Sequence, residues 1–241
     1  VVWLLVFAGC EQDARWEADQ EEGRAAALRL AEPSLAEQAS AVRSGRAHEI
    51  RVETRPVRDE DLAVLQGLTG LEVLQLDHPG NEVTELGLRN LGPGSGLKHV
   101  RIESERLYDP ALATLAKLET LEIVNLPRGG FTDAGIGALR ALPGLVQLRI
   151  RVPALTEEGV VSITKFPALR RLHLIDAPVG DIGLSELSGM EQLESLYLDG
   201  ASVTEEGLKL LFRKRPDLHV HLDSHHDAHD PQASAHEHAR P

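Results

Sequence analysis

The chain has 241 residues, of which 42% are hydrophobic but only 3% aromatic, so its core must be built from aliphatic side chains, Leu above all. A compact single-core domain of this length would draw on more Phe, Tyr and Trp, whereas thin repeated layers do not need them. The net charge of −13 repels nucleic acid and anionic lipid over a Debye length, and a single cysteine, Cys10, excludes an intrachain disulfide and a four-cysteine zinc site.

Residues 1–9 read Val-Val-Trp-Leu-Leu-Val-Phe-Ala-Gly without a charged side chain. The run is too short to span a bilayer, which takes about 20 apolar residues, but it has the length of a signal-peptide apolar region. Small side chains followed at once by a lone thiol, Phe7-Ala8-Gly9-Cys10, resemble the lipobox of bacterial lipoproteins. That resemblance implies a diacylglyceryl group on Cys10, cleavage just before it, and a place in the cell envelope on the extracytoplasmic side of a membrane. Residues 1–9 are then a signal-peptide remnant and 10–33 a tether. The competing reading is an apolar terminus with an idle thiol.

Residues 11–47 are rich in Ala, Glu and Arg and predict helix from Glu11 to Ala31, ended by Pro33. A second helix is expected from Ser34 as N-cap to near Gly45. Leu35, Ala39 and Val42 share one face of it, as a cap over the open end of a repeat array requires.

From Ile50 onward two aliphatic residues separated by one variable position recur. The pairs are Ile50/Val52, Leu74/Leu76, Val100/Ile102, Leu121/Ile123, Leu148/Ile150, Leu172/Leu174, Leu196/Leu198 and Leu218/Val220, at spacings of 24, 26, 21, 27, 24, 24 and 22. Another Leu stands three residues before most of them. Between the pairs a second phrase recurs: Thr84-Glu85-Leu86-Gly87, Thr132-Asp133-Ala134-Gly135, Thr156-Glu157-Glu158-Gly159 and Thr204-Glu205-Glu206-Gly207, with Gly180-Asp181-Ile182-Gly183 lacking the Thr. Thr suits an N-cap, and an acid beside it faces the positive end of the helix dipole. The repeated Gly marks a place where neighbouring turns pack too closely for a side chain. Each repeat is therefore strand, loop, short helix, loop.

Leu-x-x-Leu-x-Leu in this multiplicity resembles the strand segment of leucine-rich repeats, and the helical halves resemble the helix-backed, ribonuclease-inhibitor-like subclass. The resemblance covers residues 48–222. It implies an α/β solenoid, or horseshoe, with a curved parallel sheet on the concave side and short helices on the convex side, and a domain at 34–222 that includes the cap helix. Many members place Asn or Cys where the strand ends. Here that position varies (His78, Ser104, Asn125, Asp176), with Asn125 alone keeping it.

Alternation puts the residues between the paired aliphatics on the concave face. The central column reads Arg51, Gln75, Arg101, Glu122, Arg149, His173, Tyr197 and His219. Arg149, Arg151, Arg171, His173 and Tyr197 fall on three adjacent strands as a basic patch with a Tyr, residue types that carry binding energy at protein interfaces. The competing reading is a lateral ion-pair ladder, Arg101–Glu122–Arg149. Residues 223–241 form a His-rich tail, expected to be disordered. His225, His226, His229, His236 and His238 with nearby carboxylates suit Zn, Ni or Cu(II); alternatively the tail is a polar shield for the last strand.

No His-Glu-x-x-His, no Gly-x-Ser-x-Gly in a strand-to-helix setting and no P-loop occurs. Gly92-Pro93-Gly94-Ser95-Gly96 precedes a strand and lacks the Gly-Lys-Ser/Thr ending, so it reads as a turn. The expectation is a monomeric, non-catalytic scaffold for a protein partner, with no cofactor, no nucleic acid, and a membrane attachment by lipid alone. The alternatives are a metal-binding or metal-sensing envelope protein using the tail, and an enzyme whose site follows no known pattern.

Overall fold

A computed structural model describes residues 32–223 and the backbone of His225–His226, and from Leu35 onward the chain forms one unit. Cys10, the helix expected over Glu11–Ala31, and His229, His236 and His238 lie outside the described residues.

Each Leu-x-x-Leu-x-Leu phrase extends because two branched side chains on one face pack inward while the residue between them meets water. The strands are β1 (Glu49–Val52), β2 (Val73–Asn81), β3 (His99–Ser104), β4 (Ile123–Leu126), β5 (Gln147–Arg151), β6 (Arg171–Ile175), β7 (Ser195–Leu198) and β8 (His219–Leu222). They pair in sequence order, all parallel, and a two-residue strand β9 (His225–His226) returns antiparallel along β8. Helices alternate with them: α1 (Leu35–Arg43), α2 (Glu85–Leu88), α3 (Asp109–Leu115), α4 (Asp133–Ala138), α5 (Glu157–Ile163), α6 (Asp181–Leu187) and α7 (Glu205–Lys214). The first repeat has a 3-10 turn at Asp61–Leu65 in place of a helix.

Two strands sit in a different register from the one read in the sequence. The inward pair of β4 is Val124/Leu126, because Val124 lies beside Val100 and Leu148; Ile123 faces outward beside His99 and Gln147. The inward pair of β8 is Val220/Leu222, beside Leu196 and Leu198. Leu121 and Leu218 are buried too, so burial alone did not separate the registers. The spacings of the inward pairs then become 24, 26, 24, 24, 24, 24 and 24. The two extra residues of β2 lie in an irregularity between Leu76 and Asn81.

Asn125 is consequently not a turn residue: it faces outward in β4. The turning backbone is held instead by Asn81, which donates to Leu76 O and accepts from Val57 N, and by Ser104, which donates to Val83 O and accepts from Arg106 N.

The helix side is locked by a three-part joint spread over two repeats. Asp59 accepts from both the backbone N–H (2.7 Å) and the hydroxyl (2.6 Å) of Thr84. Asp109 does the same for Thr132, Asp133 for Thr156 and Asp181 for Thr204. Each Thr oxygen meanwhile caps its own helix, accepting from Leu86, Ala134, Glu158 or Gly207 N–H. A Cβ on Gly87, Gly135, Gly159 or Gly207 would meet the carboxylate of that same Asp, so the glycine is the room the joint needs. Where the leading acid is Glu, as at Glu85 and Glu157, the next N-cap is Tyr108 or Gly180 and the joint is absent. At both places the threonine hydroxyl that the clasp needs is missing.

The first edge of the sheet is covered, and the last repeat is tied to the one before it. At the first strand the Gln38 amide of α1 receives a hydrogen bond from Arg51 N and gives one to Arg51 O, both 2.8 Å, standing in for a neighbouring strand. α1 buries Leu35, Ala39 and Val42 beneath it. In the last repeat the buried Arg215 donates to Met190 O and Leu193 O and pairs with Asp217 at 2.7 Å.

Candidate functional site

With β4 and β8 in their observed registers, the central outward column begins Arg51, Gln75, Arg101, Asn125. It continues Arg149, His173, Tyr197, His221. Asn125 and His221 thus replace Glu122 and His219. The ladder Arg101–Glu122–Arg149 does not exist.

Arg101 is instead clamped by its own neighbourhood. Its Nε reaches Asp77 at 2.5 Å and its Nη2 reaches Glu103 at 3.0 Å, with all three side chains about three-quarters buried. Arg149, at the same place in the column two strands on, has no carboxylate partner among the described residues. Its Nε donates to His173 Nδ1 at 3.1 Å, and Nη1 lies 3.4 Å from Asn125 Oδ1. Burial, and then the charge of Arg101, push its guanidinium below the ordinary range. Asp199 and Glu103 oppose that shift from a distance, but among the described residues the hydrogen bonds of the guanidinium go to neutral groups, an electrostatic demand left partly open.

His173 bridges Arg149 to Asp199, its Nε2 standing 2.7 Å from Asp199 Oδ2. Burial pushes its pKa below 6.5 even though Asp199 opposes the shift. The neutral ring with its proton on Nε2 satisfies both neighbours, since Nδ1 must accept from the guanidinium. His99, on β3, is likewise held low by burial and by Arg51 and Arg101.

Tyr197 completes the cluster. Its ring lies 5.3 Å from His173, tilted 34°, and stacks on His221 at 4.3 Å with planes 7° apart. His219 stands edge-on to both, and its Nε2 is 2.7 Å from His221 Nε2.

Of the five residues expected to form the patch, the structure brings Arg149, His173 and Tyr197 into one contact chain across β5, β6 and β7. Arg151 turns away into an ion pair with Asp176 at 2.5 Å. Arg171 is exposed and donates to Gln147 Oε1 at 2.9 Å, with no carboxylate partner among the described residues. Asn125, Asp199, His219 and His221 belong to the same surface. A strict 24-residue spacing would have placed Asn125 and His221 there from the sequence. Beside Arg151 a cleft of about 590 Å³ opens between Tyr108, Arg128 and Ile175, with Glu105 and Asp176 on its walls.

Among the described residues no group of three or more His, Cys, Asp or Glu side chains is placed to hold a metal ion, and no helix is long and apolar enough to cross a membrane. Cys10, His229, His236 and His238 fall outside the description; for His225 and His226 only the backbone is placed.

The fold is similar to that of internalin C2 from Listeria monocytogenes strain 4b F2365, with a TM-score of 0.50 over 84% of this chain and 88% of that one at 16% identity. The fold is that of a leucine-rich-repeat solenoid. The solenoid also aligns with 13% identity to a chain of the octameric complex of latrophilin 3, Unc5D and the leucine-rich-repeat protein FLRT2, over 77% of this chain and 78% of that one, at a TM-score of 0.39. No family model and no curated protein matches its sequence.

Proposed function

We propose that the solenoid is a non-catalytic scaffold that binds a protein partner through the open face of its sheet, at Arg149, Arg171, His173 and Tyr197, with Arg151 at the margin. The observation that carries this reading is Arg149: partly buried, cationic, and held by His173 and Asn125 rather than by a carboxylate, on a chain of net charge −13. Guanidinium groups at such a place grip a carboxylate in a forked geometry, and Tyr197 supplies rigid contact area beside them. Asp77 and Glu103, on β2 and β3 of the same face, repel a uniformly acidic ligand and favour a patterned one. The partner's matching surface is a carboxylate flanked by apolar or aromatic groups.

Affinity capture with full-length wild type, Arg149→Glu/Arg171→Glu and Leu210→Ser on the helix side tests this. A protein held by wild type and by Leu210→Ser but lost on charge reversal supports the sheet face. Loss with Leu210→Ser and retention on charge reversal places binding elsewhere.

The scaffold is further proposed to be held on the extracytoplasmic side of the cell envelope by lipid on Cys10. The support is the run Phe7-Ala8-Gly9-Cys10 in the sequence. Two or more acyl chains give stable attachment where one does not. Mass spectrometry of the protein from its own cell should find a chain that begins at modified Cys10; an unmodified thiol in a soluble fraction ends this part of the proposal.

A further inference from the structure

Where strands β3 to β6 end, the cleft of about 590 Å³ is not used by docking through Arg149. Its volume falls in the range of about 300–1,000 Å³ in which small-molecule sites lie. Two ion pairs line it: Arg128 Nη2 stands 2.6 Å from Glu105 Oε1, and Arg151 Nε stands 2.5 Å from Asp176 Oδ2. Arg128 holds the Glu105 carboxyl below its ordinary range and Arg151 adds to that effect, so the two pairs share one electrostatic neighbourhood. Tyr108, at the N-cap of α3, is 58% exposed and offers an aromatic face. Gly130 N–H donates to Leu107 O at 2.9 Å, and a Cβ on Gly130 would stand 3.2 Å from Tyr108 Cε1. The absent side chain lets the ring settle against that backbone. Pro127 and Ile175 add apolar surface.

This lining selects by charge. Two guanidinium groups and two carboxylates cancel, so an anion meets Glu105 and Asp176 while a cation meets Arg128 and Arg151. The chain's net charge of −13 opposes an anion further. A wholly apolar body would take water from all four groups and return no hydrogen bond. What fits is an uncharged molecule with an apolar face and closely spaced groups that both donate and accept. Hydroxyls do both. A pyranose ring carries them around its rim and presents C–H groups on its face, which suit an aromatic surface. Among the described residues, Glu105 and Asp176 each give one oxygen to an arginine, which leaves lone pairs for hydroxyl donors. The remaining N–H groups of Arg128 and Arg151 meet hydroxyl oxygens.

We propose that this cleft binds a neutral sugar, a mono- or disaccharide unit that stacks on Tyr108 and hydrogen-bonds through its hydroxyls to Glu105, Arg128, Arg151 and Asp176. The site shares only Arg151 with the docking surface around Arg149, and each stands or falls without the other.

The test is saturation-transfer NMR on the full-length protein with methyl glucoside, methyl galactoside, methyl mannoside, N-acetylglucosamine, maltose and cellobiose. At least one should bind with a dissociation constant of about 0.1–5 mM, as befits a small polar ligand in an open cleft. Tyr108→Ala should weaken that binding by about tenfold or more, whereas Tyr108→Phe should stay within about threefold of wild type. The Tyr108 side chain makes no capping hydrogen bond to α3, so its truncation leaves the helix start intact. Glu105→Ala, at an exposed position, should weaken binding by about tenfold. Sodium acetate and glycine, as anionic and zwitterionic probes, should not displace the sugar. Absence of transfer from every sugar at about 50 mM, undiminished binding by Tyr108→Ala, or displacement by acetate or glycine overturns the assignment.

Discussion

The two sides of the solenoid treat their charged groups in opposite ways. On the helix side, Asp59, Asp109, Asp133 and Asp181 each meet two donors of the next repeat's threonine, and a glycine opposite leaves the space to do so. Donors and acceptors close on one another within the fold. On the sheet side the same closure holds at Arg101, between Asp77 and Glu103, and fails at Arg149, whose hydrogen bonds among the described residues go to His173 and Asn125. A side whose charges are mutually satisfied is built for stability, whereas a partly buried charge left with neutral partners is built for something outside the chain.

That contrast is sharpened first by binding. Against a partner captured through the sheet face, Arg149→Glu should cost about 2–5 kcal/mol, expressed as faster dissociation, because the group it replaces is already partly desolvated. Arg171→Glu, at an exposed position, should cost about 1 kcal/mol or less and act mainly on the association rate and its salt dependence. Surface plasmon resonance at two ionic strengths separates the two, and equal effects would remove the distinction between them.

The helix side should respond in stability instead. Asp133→Ala removes the acceptor of both Thr156 donors and should lower the unfolding free energy by about 1–2 kcal/mol. Glu157→Ala, at a joint that lacks the clasp, should change it by less than about 0.5 kcal/mol. Gly159→Ala alone should destabilise, although Ala is the better helix former, because its Cβ meets Asp133. Made on the Asp133→Ala background, the same change should cost less than it does alone, the Leu155 methyl 2.6 Å from the new Cβ still having to shift. Urea unfolding of the four proteins measures the cycle, and additivity would mean that the glycine and the Asp are unrelated.

A smaller effect is expected from pH. His173 and His99 have pKa values held below 6.5 in the folded state, so the unfolded chain binds more protons as pH falls past 6.5. Stability should therefore be full above that value and decline on acidification until the folded-state pKa values are passed. Asp181, held below the usual carboxylate range by the Thr204 N–H and hydroxyl, adds a further loss at lower pH, as it is protonated. Unfolding followed from pH 7.5 downward should show a shallower decline for His173→Gln than for wild type; stability that rises on acidification would contradict the assignment.

Much of this architecture could be read from the sequence because each repeat writes it again. The aliphatic pairs, the cap helix and the role of Gly135 and Gly159 all follow from recurrence plus sterics. The register of β4 was obscured for a physical reason. Ile123 is aliphatic yet faces outward, and Leu118-x-x-Leu121-x-Ile123 imitates the strand phrase three residues early. β8 was displaced in the same way by the buried Leu218. Those shifts moved Glu122 and His219 into a column where Asn125 and His221 stand, and hid that among the described residues Arg149 hydrogen-bonds to no carboxylate. The clasp was only half visible: Thr and Gly share one phrase, but their Asp lies in the repeat before. The link of His173 to Asp199 and the turn of Arg151 toward Asp176 depend on side-chain geometry that spacing does not encode.

The central claim, that Arg149 is kept for a partner and not for the fold, is tested most directly by comparing the unfolding free energies of Arg149→Met and Arg101→Met. Methionine preserves the stem packing and removes the charge. Arg101→Met strands Asp77 and Glu103 together and should cost about 1–3 kcal/mol, while Arg149→Met removes a cation that hydrogen-bonds to no carboxylate among the described residues and should leave stability within about 0.5 kcal/mol of wild type or above it. A loss at Arg149 as large as that at Arg101 would show that the guanidinium serves the fold, and would contradict the account.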